Sequence, residues 1–145
     1  MALHWHDRAF AELTVHELYA ITALREGVFV VEQNCPYLDA DGHDPRSRHL
    51  WAAEGEAILA YCRIVPAGEK FSEISIGRVI TAPVARGTGL GKELMRRALA
   101  ACGPTAVRIG AQAHLERFYG EVGFVRASEP YDEDGIPHIE MLRSV

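Results

Sequence analysis

Between Thr14 and Val31 apolar side chains return every third or fourth position, at Leu18, Ile21, Leu24, Val28 and Val31, which gathers them on one helical face. Ahead of that run, Thr14-Val15-His16-Glu17 has the form of a capping box, where a hydroxyl and a carboxylate satisfy amides at a helix start. The polar stretch from Asn34 to Arg48 carries Pro36, Gly42 and Pro45 and predicts a long loop with room for a short helix. His49 to Glu54 and Ala57 to Val65 predict two strands joined at Gly55, an antiparallel hairpin. Pro66-Ala67-Gly68-Glu69 turns the chain again, and the Ile- and Val-rich run Glu73 to Thr81 predicts a third long strand ending before Pro83. Gly87 to Gly91 then opens a helix with Leu90, Leu94, Ala98 and Leu99 on one face, stopped by Gly103-Pro104. Val107, Ile109 and Ala111 alternate as a strand; Leu115, Phe118, Tyr119 and Val122 form a short helix closed by Gly123; Ile136 to Leu142 is the last strand. The order is helix, antiparallel strands, then strand–helix–strand–helix–strand, which predicts a mixed α/β layered fold.

Composition narrows the function. With 145 residues, 48% apolar and 24% charged, residues 1–145 are expected to form one domain around one core. No apolar run approaches the ~18 residues of a membrane span, and Met1 to Asp7 lack the basic and apolar stretches of a signal peptide, so a cytoplasmic location and no membrane partner are expected. A net charge of −5 with no Lys/Arg-rich stripe argues against nucleic acid as a partner. Cys35, Cys62 and Cys102 are odd in number and contain no CxxC pair, which predicts reduced thiols rather than a disulfide framework or a zinc site.

The sharpest chemical motif is Arg86-Gly87-Thr88-Gly89-Leu90-Gly91, between a predicted strand and a predicted helix. Alternate glycines allow close backbone approach and positive φ, and free amides at a helix start favour a phosphate. A P-loop fails, because Arg86 stands where its first glycine should be and Glu93 follows Lys92. A dinucleotide fingerprint fails because its third glycine would fall at Lys92.

Arg86-x-x-Gly89-x-Gly91 after Arg78-Val79-Ile80-Thr81 resembles the acetyl-CoA signature of the GNAT superfamily, and Phe118-Tyr119-Gly120-Glu121-Val122-Gly123-Phe124 is similar to its FYxxxGF segment. Gln112, seven residues before Tyr119, stands where many members place an Asn that contacts the cofactor. The chain further resembles the ElaA-like subgroup through Leu24-Arg25, Val28 to Gln33, Cys35-Pro36-Tyr37, Asp41-Gly42-x-Asp44, Ala60 to Arg63, Ile76 to Ile80 and Asp134 to His138. The resemblance covers nearly the whole chain. It implies a twisted mixed sheet splayed open at the cofactor strand, and acetyl-CoA as acyl-donor co-substrate.

It also implies the site. Backbone amides of Arg86, Gly87, Thr88, Gly89, Leu90 and Gly91, with Lys92, would hold the pyrophosphate, while Val79, Ile80 and Thr81 pair with the pantetheine arm like an added strand. Tyr119 maps onto the family's general acid, and Glu73, thirteen residues before Arg86, onto the catalytic glutamate of the histone acetyltransferase branch. His49 and His138 are rival bases, because imidazole chemistry suits proton transfer near neutral pH. An acyl-enzyme on Cys35 or Cys102 is disfavoured, since neither has an activating neighbour in sequence.

On the acceptor side, Glu32, Tyr37 and His138 are expected to contact substrate. The acidic residues Glu32, Asp39, Asp41 and Asp44, with Glu129, Asp132, Glu133 and Asp134, predict a cationic amine, small-molecule or peptide. Asp39-x-Asp41-Gly42-x-Asp44 does not make a calcium loop: the glycine is misplaced for an EF-hand and its twelfth position is Leu50, so no metal is expected. The reading from another class is a non-catalytic acyl-CoA-binding sensor or interaction module, and a homodimer is left open.

Overall fold

A computed structural model describes residues 2–145. Among these residues eight strands form two sheets. The first has the order β1 (His4–Ala9), β2 (Arg48–Glu54), β3 (Ala57–Val65), β4 (Ser75–Thr81), every pair antiparallel. In the second, β8 (Ile136–Arg143) lies between β5 (Val107–Gln112) and the short strands β6 (Val125–Arg126) and β7 (Tyr131–Glu133), again antiparallel. Three α-helices complete the fold: α1 (Val15–Arg25), α2 (Leu90–Cys102) and α3 (Glu116–Gly120). The mixed α/β fold with a splayed sheet is as expected, and β1, β6 and β7 are additions to it.

Thr14 and Glu17 form the predicted capping box, the threonine hydroxyl accepting from the Glu17 amide at 3.0 Å and the glutamate accepting from the Thr14 amide at 2.9 Å. The helix does not run on to Val31 as a regular α-helix. From Glu26 to Glu32 it widens into a π-helix, with Gln33 N bonding Val28 O at 3.1 Å and Cys35 N bonding Val30 O at 3.0 Å. The wider turn rotates the later residues off the buried face, so Val28 is buried and Val31 is 74% exposed.

Period-two alternation sorts the strands onto two cores. Leu50 and Ala52 of β2, with Ala60, Cys62 and Ile64 of β3, face α2 and the second sheet, meeting Leu94, Met95, Ile109 and Ile139. Trp51, Ala53 and Tyr61 face the other way, onto Ile21 and Val28. In β4 the alternation breaks. Ile76 lies in the first core and Ile80 in the second, although their spacing would place both on one face of a regular strand. The cause is a β-bulge: β3 advances from Arg63 to Tyr61 while β4 advances from Gly77 to Ile80, so β4 carries one extra residue. Arg78 sits in it with φ +51°, a conformation non-glycine residues seldom adopt.

Candidate active site

The two sheets touch at one edge. β4 and β5 begin side by side, with a parallel bridge between Ile74 and Val107 and a bond from Arg108 N to Ile74 O at 3.0 Å. Past that point the strands are unpaired with each other, and a cavity of about 290 Å³ opens between them. Its walls include Gly77, Arg78 and Val79 of β4, Ile109 and Gln112 of β5, and Tyr119 of α3. Tyr37 and His138 complete it from the loop and from β8.

The structure therefore brings five of the expected residues to one cavity: Val79, Gln112, Tyr119, Tyr37 and His138. Ile80 is turned into the second core, leaving only its backbone for a ligand. Glu32 and Glu73 are not among the lining residues. Glu32 instead makes a two-pronged pair with Arg86, at 2.6 and 2.8 Å. Glu73 is gripped by Arg108 at 3.0 and 3.1 Å, and that guanidinium pulls its carboxyl down to about 2. A carboxylate so stabilised as an anion accepts a proton poorly near neutral pH.

The glycine cradle lies at the open end of β4. Gly87 and Gly89 adopt φ of +79° and +85°, and Gly89 caps α2. The Thr88 hydroxyl donates to Ala85 O at 2.6 Å and accepts weakly from Leu90 N at 3.4 Å, which holds the loop in shape. Gly91 and Lys92 belong to the first helical turn, whose amides have no carbonyl one turn back. A side chain on Gly91 would sit 3.0 Å from Thr81 Oγ1 and 3.5 Å from Phe118, so glycine there lets α2 close onto β4. Lys92 pairs with Glu121 at 3.1 Å, and Gln112 reaches Gln33 at 3.3 Å.

The acidic loop is not a free anionic surface. Arg25 binds Asp39 at 2.8 Å and Asp44 at 2.7 Å; Arg63 binds Asp44 at 3.0 Å and Asp41 at 2.7 Å; Arg78 binds Asp41 at 3.2 Å and Asp39 at 2.8 Å. Three arginines and three aspartates thus alternate in a closed ring. The ring pins the loop to α1, β3 and the bulge of β4, and it removes the electrostatic argument for a cationic acceptor from residues 32–44. Glu133 and Asp134 remain at the cavity, opposed by Lys70. Sequence spacing hid the ring, but not all of its members: Arg25 interrupts an apolar helical stripe, and Arg63 and Arg78 interrupt apolar strands.

Burial alone would raise Asp41 and Asp44, but bonds and charge from Arg63 and Arg25 outweigh it and hold both below the ordinary aspartate range. Depressed carboxylates stabilise the fold above their unfolded pKa of about 3.9, and that stability is lost as pH falls through the lower folded values. Melting temperature should therefore fall steeply below about pH 4 on their account. Asp41→Asn should show a shallower fall over the same range in melts taken from pH 2 to 6; an equal slope would show that Asp41 carries no such linkage.

Tyr119 is 6% exposed and lines the cavity, and its hydroxyl makes no hydrogen bond among the described residues. Burial, then the neighbouring Cys62, raises it above the usual tyrosine value, so it stays protonated. Its ring is set edge-on between Phe118, at 5.1 Å, and Phe124, at 6.0 Å. His49 is buried against Tyr61 and Asp44 and does not line the cavity. The Cys35 thiol donates to Asp134 O at 3.0 Å, and burial raises it; burial likewise raises Cys62, and Cys102 to about 11. Each shift disfavours the thiolate that acyl transfer through cysteine would need.

Comparison with known proteins agrees with this fold. The family profile of the Acetyltransferase (GNAT) domain matches residues 28–145. Protein ElaA of Escherichia coli is 44% identical over 149 aligned positions, covering 99% of this chain and 97% of that one. The crystal structure of E. coli ElaA superposes with a TM-score of 0.92 at 42% identity, covering 99% of this chain and all of that one. That of an acyl-CoA N-acyltransferase from Pseudomonas aeruginosa superposes with a TM-score of 0.94 at 46% identity, with 99% and 100% covered. By the family match over most of its length and by its identity to ElaA, the chain belongs to the GNAT acetyltransferase family.

Proposed function

We propose that this protein transfers an acetyl group from acetyl-CoA to a primary amine by direct attack, with Tyr119 as general acid. The observation that carries this reading is the unpartnered Tyr119 hydroxyl in a cavity continuous with the splay of β4 and β5. Acetyl-CoA supplies the activated thioester. The amides at the head of α2 suit its pyrophosphate, and the open edge of β4 at Val79–Thr81 suits the amides of its pantetheine arm.

The acceptor arrives as an ammonium ion and must lose one proton before it can attack. The nitrogen lone pair then forms the C–N bond at the thioester carbonyl carbon. As the C–S bond breaks, its electron pair goes to sulfur, and Tyr119 gives that sulfur its hydroxyl proton. The second nitrogen proton, shed as the amide forms, restores the tyrosine. Glu133 and Asp134 favour the incoming ammonium; with the acids of residues 32–44 already paired, a second positive charge on the acceptor is not part of the proposal. The reading includes a cytoplasmic site of action and no nucleic-acid partner.

Acetyl-CoA at a hundred times its Kd should stabilise the wild type by about 2.7 kcal/mol. Gly89→Val forces a β-branched residue into φ +85° and should abolish that shift by distorting the cradle. Thermal melts with and without CoA and acetyl-CoA, followed by thiol release with a panel of amines, test both halves. No melting response at millimolar acetyl-CoA would sink the proposal. Binding without thiol release from any amine would favour the sensor reading.

A further inference from the structure

We propose that His138 is the general base of this transfer, with Glu133 as its positioning partner; the inference rests on the amine-acetylation reading above. The sequence offers three candidate bases for the ammonium proton, and the structure separates them. Glu73 is away from the cavity and locked by Arg108. His49 uses both ring nitrogens internally, at 2.7 Å from the Tyr61 hydroxyl and 3.1 Å from Asp44 O. His138 lines the cavity that Tyr119 also lines.

Its tautomer follows from its neighbours. Nδ1 lies 2.7 Å from the Ile136 carbonyl, which can only accept, so Nδ1 carries the hydrogen. The neutral ring then presents a bare lone pair at Nε2. That atom lies 3.4 Å from Glu133 Oε2, so an imidazolium formed by proton capture meets a carboxylate at once. Glu133 is half exposed, which gives the proton a route onward to water. The ring is held in place by the Ile136 bond and by Tyr131, stacked at 5.9 Å.

Position agrees with the chemistry. His138 is the direct ladder partner of Gln112, so it stands beside the end of β5, one wall of the splay. Of the other charged groups facing the cavity, Arg78 and Asp41 neutralise each other within the ring, Asp134 lies beside Glu133 in the chain, and the Lys70 ammonium is close enough to Glu133 to share its charge with His138. The step balances simply. His138 Nε2 takes one proton from the ammonium and releases it to solvent past Glu133, leaving a neutral amine to attack.

The test is the pH dependence of kcat and kcat/KM, read beside an acetyl-CoA melt, for wild type, His138→Gln and Glu133→Gln. His138→Gln should lose about 10²-fold in kcat, lose the acid limb of kcat/KM, and keep the acetyl-CoA melting shift. Glu133→Gln removes the carboxylate that stabilises the imidazolium, so its acid limb should move to lower pH with most of the turnover retained. A structural role for Glu133 would not move that limb. Wild-type turnover and an unchanged limb in His138→Gln would overturn the base assignment while leaving acyl transfer intact. If His138→Gln does not fold, an unmoved limb in Glu133→Gln overturns it instead. A wild type that releases no thiol with any amine overturns both.

Discussion

Tyr119→Phe is expected to lower kcat about 10²-fold, in the lower range for loss of a general acid, while melting temperature and acetyl-CoA stabilisation stay close to wild type. The variant keeps the ring that packs between Phe118 and Phe124 and removes only an oxygen with no protein partner. No buried donor or acceptor is orphaned by the change, so stability should not suffer. The leaving thiol has a pKa near the ~8.5 of a free thiol, so proton donation helps most at low pH and least above that value. The deficit should accordingly shrink as pH rises toward 9. Steady-state kinetics from pH 6 to 9 read this directly. Wild-type turnover throughout would make Tyr119 a packing aromatic and leave water as the acid.

Arg63→Ala should be among the most damaging single changes to the fold. The side chain is 1% exposed and holds two aspartates, Asp41 with both terminal nitrogens and Asp44 with one. Its removal takes one of two arginine partners from each of two partly buried carboxylates, leaving Asp44 to Arg25 and Asp41 to Arg78, and empties a buried site. The loss should fall toward the lower end of the ~3–5 kcal/mol seen when one partner of a buried pair is deleted. For a chain of this size that is a fall in melting temperature of roughly 10 °C. Urea unfolding measures it; a loss below about 1 kcal/mol would place the ring with surface ion pairs, which contribute little. The effect should be non-additive. Deleting Asp41 in the Arg63→Ala background should cost less than deleting it in the wild type, because its main partner is already gone.

Much of this architecture is legible in the sequence where the determinants are local. The capping box at Thr14 and Glu17, the hairpin at Gly55, the glycine entry to α2 and its stop at Gly103 are each fixed by residues a few positions apart. β1 escapes detection because His4-Trp5-His6-Asp7-Arg8-Ala9 mixes polar and apolar side chains at a sheet edge, where neither face demands strict alternation. The π-helical turn escapes because heptad-like spacing at Val28 and Val31 reads the same in an α-helix. The β4 bulge is hidden too, since an extra residue appears only once the partner strand is known.

For the site, the motifs locate the cradle and Tyr119, and the structure adds what depends on distance in space. Glu73 has the right offset from Arg86, but Arg108, thirty-five residues away, decides what its carboxylate can do. The acidic run at 39–44 looks like a charged surface until Arg25, Arg63 and Arg78 are brought to it.

The gap between β4 and β5 bears on solubility as well as on ligand binding. Unpaired strand edges invite other chains to add on, and proteins usually blunt them with charge, bulges or covering loops. Here two open edges face each other across an internal cleft, β4 being closed on its other side by β3 and β5 by β8. A second molecule cannot reach them broadside. The inner edges are therefore shielded from fibril growth, and the edges left to aggregation are the outer ones, at β1 and in the short β6 and β7.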